Sequence, residues 1–175
     1  ESGIQLPQLD LEAPDLPFGL GSGAGTIYGT TGGVAEAGVR PCMPDKSRNT
    51  LRALEYSPLR GNESIREATI PVGDREIKLA VVHGLINAQK LLKEIDEGTA
   101  YYDLIEVMTC PNGCVGGAGQ PYGLKAKKQP RSAGLYATDR SAPFKRAEYN
   151  PGVTSILQKL THEQRHELLH VSYQK

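Results

Sequence analysis

Residues 67–108 carry the pattern that most restricts the fold. Ala68-Thr69-Ile70-Pro71-Val72 and Glu76-Ile77-Lys78-Leu79-Ala80-Val81-Val82 flank Gly73-Asp74, and this reads as a β-hairpin. Leu85, Ala88, Leu92 and Ile95 then recur at helical spacing, and Gly98 stops the helix. Asp103-Leu104-Ile105-Glu106-Val107-Met108 is a further short apolar run, read as a strand. Strand, helix and strand in this order make a βαβ unit with parallel strands, so the fold class is α/β. Open α/β sheets bind ligands just past the carboxyl ends of their strands. Here that position is taken by Cys110.

Cys110 opens a loop rich in small residues, Cys110-Pro111-Asn112-Gly113-Cys114-Val115-Gly116-Gly117-Ala118-Gly119-Gln120-Pro121. Thiolates are the preferred protein ligands of iron–sulfur clusters, and small neighbours let backbone N–H groups approach the sulfurs. Two cysteines four positions apart are not a complete cluster site. A disulfide or two buried thiols would give a similar pattern, and the spacing differs from the CxxC of thioredoxin-like redox pairs.

The chain has 175 residues, enough for one domain or part of a larger one. Its hydrophobic content is 38%, with 20 glycines and 12 prolines, which predicts much irregular chain and a modest core. Twenty basic residues balance 20 acidic ones, so no nucleic-acid footprint is visible. No apolar run approaches the length of a membrane span. No signal peptide opens the sequence, which predicts a cytoplasmic location. The first residue is Glu1 rather than Met, which predicts a processed or excised piece, or a sequence with part of its N-terminus missing. Three cysteines, two of them in a glycine-rich loop, argue against a secreted disulfide framework.

Residues 1–22, with Pro7, Pro14 and Pro17, read as an irregular arm. Gly19, Gly21 and Ala24 formally fit a dinucleotide GxGxxA pattern. No strand precedes them, so that reading is set aside. Glycines at Gly25, Gly29, Gly32 and Gly33 allow backbone to pack closely against a neighbour, and Thr30 and Thr31 are placed to cap a short helix over Val34–Val39. Residues 47–66 read as polar connection. Residues 122–148 carry Lys125, Lys127, Lys128, Arg131, Arg140, Lys145 and Arg146 and read as a basic, solvated connector. Asn150-Pro151 predicts a helix with a cap and an N1 proline, whose apolar face holds Val153, Ile156, Leu157 and Leu160. His162-Glu163-Gln164-Arg165-His166 is a formal HExxH, but the position ten residues after His162 is Ser172 and no third zinc ligand is evident. His83, at a strand end, reads as a packed residue rather than a ligand.

Taken together, Glu106, Met108, Cys110, Pro111, Gly113, Cys114, Gly116, Gly117, Gly119, Gln120 and Pro121 resemble the last cluster motif of the iron-only (FeFe) hydrogenases, roughly E-x-M-A-C-P-G-G-C-x-G-G-G-G-Q-P. The chain departs from it at Thr109, Asn112 and Ala118. Gly23 to Ala37 resembles the family stretch G-A-G-x-I-F-G-A-T-G-G-V-x-E-A, with Tyr28 in place of phenylalanine. The tail resembles the family ending x-H-x-L-L-H-x-x-Y through His166, Leu168, Leu169, His170 and Tyr173. Arg40-Pro41-Cys42-Met43-Pro44-Asp45-Lys46 superficially resembles the motif M-P-C-x-x-K, but its lysine is one residue too far and its place in the chain is wrong. Cys42 is therefore read as a bystander.

The resemblance implies about half of a FeFe-hydrogenase catalytic domain. Residues 1–22 would be an irregular arm, 23–123 an α/β half-domain binding the H-cluster, and 124–175 a connector with C-terminal helices. The H-cluster is a four-iron four-sulfur cubane joined to a di-iron unit carrying CO, cyanide and a bridging dithiolate. Cys110 would hold the cubane, and Cys114 would bridge cubane and di-iron unit. Met108 would pack on the di-iron side, and Tyr28, Gly29, Thr31 and Gly32 would line its pocket. The other cluster cysteines would come from the remaining part of the catalytic subunit, upstream or on a partner chain. The reaction would be reversible oxidation of H2 to protons and electrons, exchanged with a carrier such as ferredoxin. Two other classes stay open: a hydrogenase-like iron–sulfur assembly protein without enzymatic activity, and an α/β interaction subunit with no cluster.

Overall fold

The structure is a computed structural model and describes residues 19–43, 63–72, 74–121 and 128–172, with residues 3, 5, 8–10, 12, 13, 15, 54 and 59–61. Pro7, Pro14, Pro17, Pro44, Asp45, Lys46, Gly73, Lys125, Lys127 and Tyr173 lie outside the described residues.

The hairpin forms as its sequence predicts. Strand β1 (Ile65–Val72) pairs antiparallel with β2 (Arg75–His83). Helix α3 (Leu85–Asp96) follows, and β3 (Leu104–Met108) lies parallel to β2. The sheet order is β1-β2-β3, so β2 is central. A strand covered on both faces loses the alternation of a half-exposed one. Leu79, Ala80, Val81 and Val82 are accordingly all buried.

The alternate residues of β2 feed two cores. Leu79 and Val81 pack with Ala35, Val39, Met43, Leu54, Leu59, Ala68 and Ile70. Ala80 and Val82 pack with Ala88 and Leu91 of α3. Thus α2 (Gly33–Val39) covers one face of the sheet and α3 the other. Leu54 and Leu59 fall in the stretch that reads as polar connection, yet both are core residues.

Before α2, a single turn α1 (Gly23–Thr26) and a 3-10 turn (Ile27–Gly29) lead into the glycine-rich stretch. The Ser22 side chain accepts the Gly25 N–H and caps α1, while the other described residues of the arm are exposed. The expected Thr30 or Thr31 cap of α2 does not form. Gly32 takes the N-cap position at φ 93°, a left-handed conformation that favours glycine, and no side chain of its own closes the helix.

The basic connector of the sequence reading is also corrected. Residues Lys128–Ser141 form a helix, α4, ended by Lys145, whose ammonium donates to the carbonyls of Asp139, Arg140 and Ala142. Helix α5 (Pro151–Leu157) starts as predicted, with the Asn150 side chain accepting from the N–H groups of Gly152 and Val153. Its apolar face stays largely open, with Val153 and Ile156 exposed. Helix α6 (His162–Leu169) begins with a capping box between Thr161 and Gln164. No helix among the described residues is long and apolar enough to cross a membrane.

Candidate metal centre at two glycine-rich loops

The parallel pairing of β3 with β2 delivers Cys110 two residues beyond the carboxyl end of β3. The pairing with β2 runs on past the strand end, where the Gly84 N–H donates to the Met108 carbonyl at 2.8 Å. Asn112 and Gly113 then take positive φ, 68° and 83°, and turn the chain back so that Cys114 starts a 3-10 turn (Cys114–Gly116). The Gly113 N–H donates to the Cys110 carbonyl at 2.9 Å and closes the loop between the two cysteines. Both are free thiols, Cys110 half-buried and Cys114 exposed.

The second loop is Ile27–Gly33, and it touches the first. The Thr31 N–H donates to the Asn112 carbonyl at 3.2 Å. Gly113 is wedged between them: a Cβ there would meet the Thr31 nitrogen at 2.9 Å and the Gly29 oxygen at 3.0 Å. At Gly116 a Cβ would lie 2.1 Å from the Pro111 oxygen, so only glycine lets this turn close. At Gly117 it would stand 3.6 Å from Cys110 Sγ, so the glycine keeps space beside that sulfur.

Glu106 joins the loops from beneath. It is buried, and its two carboxylate oxygens accept the N–H groups of Gly32, at 2.6 Å, and Ala35, at 2.7 Å. A carboxylate on β3 thus does the capping expected of Thr30 and Thr31, and favours the positive end of α2. Arg66 donates to the Thr31 carbonyl at 3.0 Å and to Gly61 at 2.7 Å. Burial lowers the Arg66 pKa, while Tyr136, Glu106 and Glu63 favour its charge.

The two loops carry the residues that the resemblance assigns to the cluster and its pocket, apart from Met108. Cys110 and Cys114 lie on the first. Tyr28, Gly29, Thr31 and Gly32 lie on the second, with the Tyr28 side chain 51% exposed and Thr31 and Gly32 buried. Met108 sits partly buried at the root of the first loop. Glu106 belongs to the quoted motif, but its capping role depends on a contact across 74 positions that no local pattern announces. Cys42 is exposed, with its thiol 3.8 Å from the Gly38 carbonyl. His83 is packed, 7% exposed. The histidines of α6 are exposed, and the rings of His166 and His170 stack 4.7 Å apart.

Among the described residues, no group of three or more His, Cys, Asp or Glu side chains is placed to hold a metal ion. Two soft, unpaired thiols on a loop of glycines do suit an iron–sulfur cluster, as part of a ligand set of four.

Residues 1–118 match the iron only hydrogenase large subunit, C-terminal domain, and residues 125–175 match the iron hydrogenase small subunit. The chain is 38% identical over 176 residues to the NADP-reducing hydrogenase subunit HndD of Solidesulfovibrio fructosivorans, covering 97% of this chain and 29% of that protein. It is 32% identical over 184 residues to cytosolic iron-sulfur assembly component 3 of Pongo abelii, covering 99% of this chain and 38% of that one. The fold superposes on a variant of the [FeFe]-hydrogenase HydA1 of Chlamydomonas reinhardtii with a TM-score of 0.71 and 33% identity, covering 98% of this chain and 51% of that one. The chain thus spans about a third to a half of the relatives it matches. By its sequence and its fold, it belongs to the iron-only hydrogenase family and corresponds to the C-terminal part of that family's catalytic domain.

Proposed function

We propose that this chain supplies the C-terminal portion of an FeFe hydrogenase catalytic subunit, which interconverts H2 with two protons and two electrons. The observation that carries the reading is the Thr31–Asn112 hydrogen bond with Gly113 wedged behind it, which holds the cysteine loop against the glycine-rich loop. In this reading Cys110 and Cys114 would hold the iron, Cys110 as a ligand of the cubane and Cys114 as the ligand it shares with the di-iron unit. Met108 would pack on the di-iron side, and Tyr28, Gly29, Thr31 and Gly32 would line the pocket. Bound there, an H-cluster supplies the redox and hydrogen-binding chemistry. The chain's own contribution is to present two thiolates from the strand end and to line the pocket with a glycine-rich wall. The remaining cluster cysteines come from the rest of the catalytic subunit, and a ferredoxin-like carrier exchanges the electrons. A reducing cytoplasm suits free thiols of this kind.

The test is to purify the chain together with the rest of its subunit. Infrared bands of metal-bound CO and cyanide and hydrogen uptake are expected, and Cys114→Ala is expected to abolish both. Wild-type turnover in that variant refutes the assignment.

The match to a cytosolic iron-sulfur assembly component over 99% of the chain favours one second reading, a non-enzymatic assembly protein. That reading predicts iron and sulfide in the purified protein without CO or cyanide bands.

A further inference from the structure

One face of α4 meets both loops of the candidate site. Lys128, Arg131, Ser132 and Leu135 are spaced i, i+3, i+4 and i+7, which puts them on one side of a helix. A Cβ on Gly116 would meet Lys128 Nζ at 3.2 Å, and one on Gly29 would meet Leu135 Cδ1 at 2.9 Å, so both side chains lie against glycines. The Ser132 and Thr30 hydroxyls are 2.9 Å apart. Lys128 and Arg131 therefore meet the cysteine loop, while Ser132 and Leu135 meet the other. The helix is anchored further along, where Asp139 takes the Arg40 guanidinium at 2.8 and 2.6 Å.

Arg131 makes the contact that spans the cysteine loop. Its Nη1 donates to the Val115 carbonyl and its Nη2 to the Pro121 carbonyl, both at 3.0 Å. Val115 directly follows Cys114, and Pro121 ends the glycine-rich run. Between them the chain is a series of small turns. The Gly117 N–H donates to the Cys114 carbonyl at 3.0 Å, and the Gln120 N–H to the Gly117 carbonyl at 3.1 Å. Gly116, Gly117 and Gly119 bring no side chain to hold such turns, and glycine has the most backbone freedom to lose. A planar guanidinium fixes two acceptors relative to each other, because its N–H groups point in set directions. Arg131 thus clasps the two ends of the run, and Cys114 lies immediately outside the clasp.

We propose that Arg131 is a positioning residue for the iron centre. Its fork holds the Val115–Pro121 run in register, and through the adjoining peptide it fixes the direction in which Cys114 presents its sulfur. The proposal rests on the reading of Cys114 as a cluster ligand.

The test uses the chain assembled with the rest of its subunit, first free of iron. Amide hydrogen exchange is read at Gly116, Gly117 and Gln120. Arg131→Met is expected to speed it on the order of 10-fold, with the amides of β2 unchanged. Arg131→Lys keeps the charge but brings one nitrogen where the fork brings two, and is expected to exchange like Arg131→Met. Exchange at the wild-type rate in either variant overturns the clasp. The assembly is then loaded with its cubane and reduced. Arg131→Met is expected to shift both the electron paramagnetic resonance signal and the reduction potential. An unshifted signal and potential beside faster exchange overturn the role given to Arg131 at the centre. A wild-type assembly that takes up no cubane overturns the hydrogenase reading and the positioning role with it, and leaves the clasp to stand on the exchange.

Discussion

Glu106 offers the sharpest test of how the candidate site is held. Its carboxylate accepts two backbone N–H groups, at 2.6 and 2.7 Å, from a position 6% exposed. In Glu106→Gln one oxygen is replaced by an amide nitrogen, which is a donor and cannot accept from either N–H. One charge-assisted hydrogen bond is then lost, worth about 1.5–3 kcal/mol, and one buried N–H is left unsatisfied at about 1–3 kcal/mol. These overlap, since both describe the same broken contact, and together give about 2–4 kcal/mol. A further fraction of a kcal/mol follows from removing negative charge beside the α2 N-terminus, about 0.3–1 kcal/mol. Against a total stability of roughly 5–15 kcal/mol this is a large change. The assay is equilibrium urea unfolding, reading a lower midpoint with an unchanged slope. A Glu106→Gln unfolding free energy within about 1 kcal/mol of wild type would show that the carboxylate is not what joins the loops.

Three further outcomes follow from the same geometry. Gly113→Ala, at φ 83° with backbone of the second loop about 3 Å away, is expected to cost about 1–3 kcal/mol and to lower iron retention; a variant with wild-type stability and iron content would refute the wedge. Cys42→Ala is expected to leave hydrogen turnover nearly unchanged, which activity of the assembled subunit checks, because Cys42 lies outside both loops. Burial, aided by Glu36 and opposed by Arg60 and Arg66, pushes the Tyr136 phenol up to about 12. The unfolded chain then loses this proton near pH 10 while the folded one keeps it. Stability from this group is therefore complete below pH 10 and lost as pH rises through about 12. Tyr136→Phe should flatten that decline, read as urea midpoints at pH 9 and pH 11; an unchanged slope would refute the burial argument.

What the sequence disclosed was the part governed by local periodicity. Leu79 to Val82 and the Leu85, Ala88, Leu92, Ile95 series mark strand and helix locally, although the helix buries Ala88 and Leu91 and leaves Leu85 and Leu92 exposed, and the βαβ rule then places Cys110 without further information. What stayed hidden was set by partners far along the chain. Thr30 and Thr31 have the chemistry of caps, but Glu106 arrives from β3 with a charged group and takes the task. Helix α4 reads as a connector because its buried face is polar: Asp139 and Tyr136 meet Arg40 and Arg60 rather than leucines. Leu54 and Leu59 lie in a stretch with no clear periodicity, and only the packed sheet shows them to be core.

The exposure of the site argues for a missing cover. Tyr28 is 51% exposed, and Leu104 and Val107 of β3 are 41% and 52% exposed. Strand β3 is at the sheet's edge, with no strand beyond it among the described residues. An open edge bearing apolar side chains, next to an exposed thiol, is a surface that native proteins normally pair or cover. The chain spans 51% of the solved hydrogenase it matches, and in the proposed reading the rest of the catalytic subunit supplies that cover. In a Cys42→Ala background the isolated chain should therefore react with a thiol reagent fastest at Cys114, which is exposed, and more slowly at half-buried Cys110. Adding the rest of the subunit, before any iron is supplied, should protect both. Cys114 labelling at the same rate in the assembled apoprotein would mean that the missing portion does not close over this loop, and the two thiols would then have to find their remaining iron ligands somewhere else.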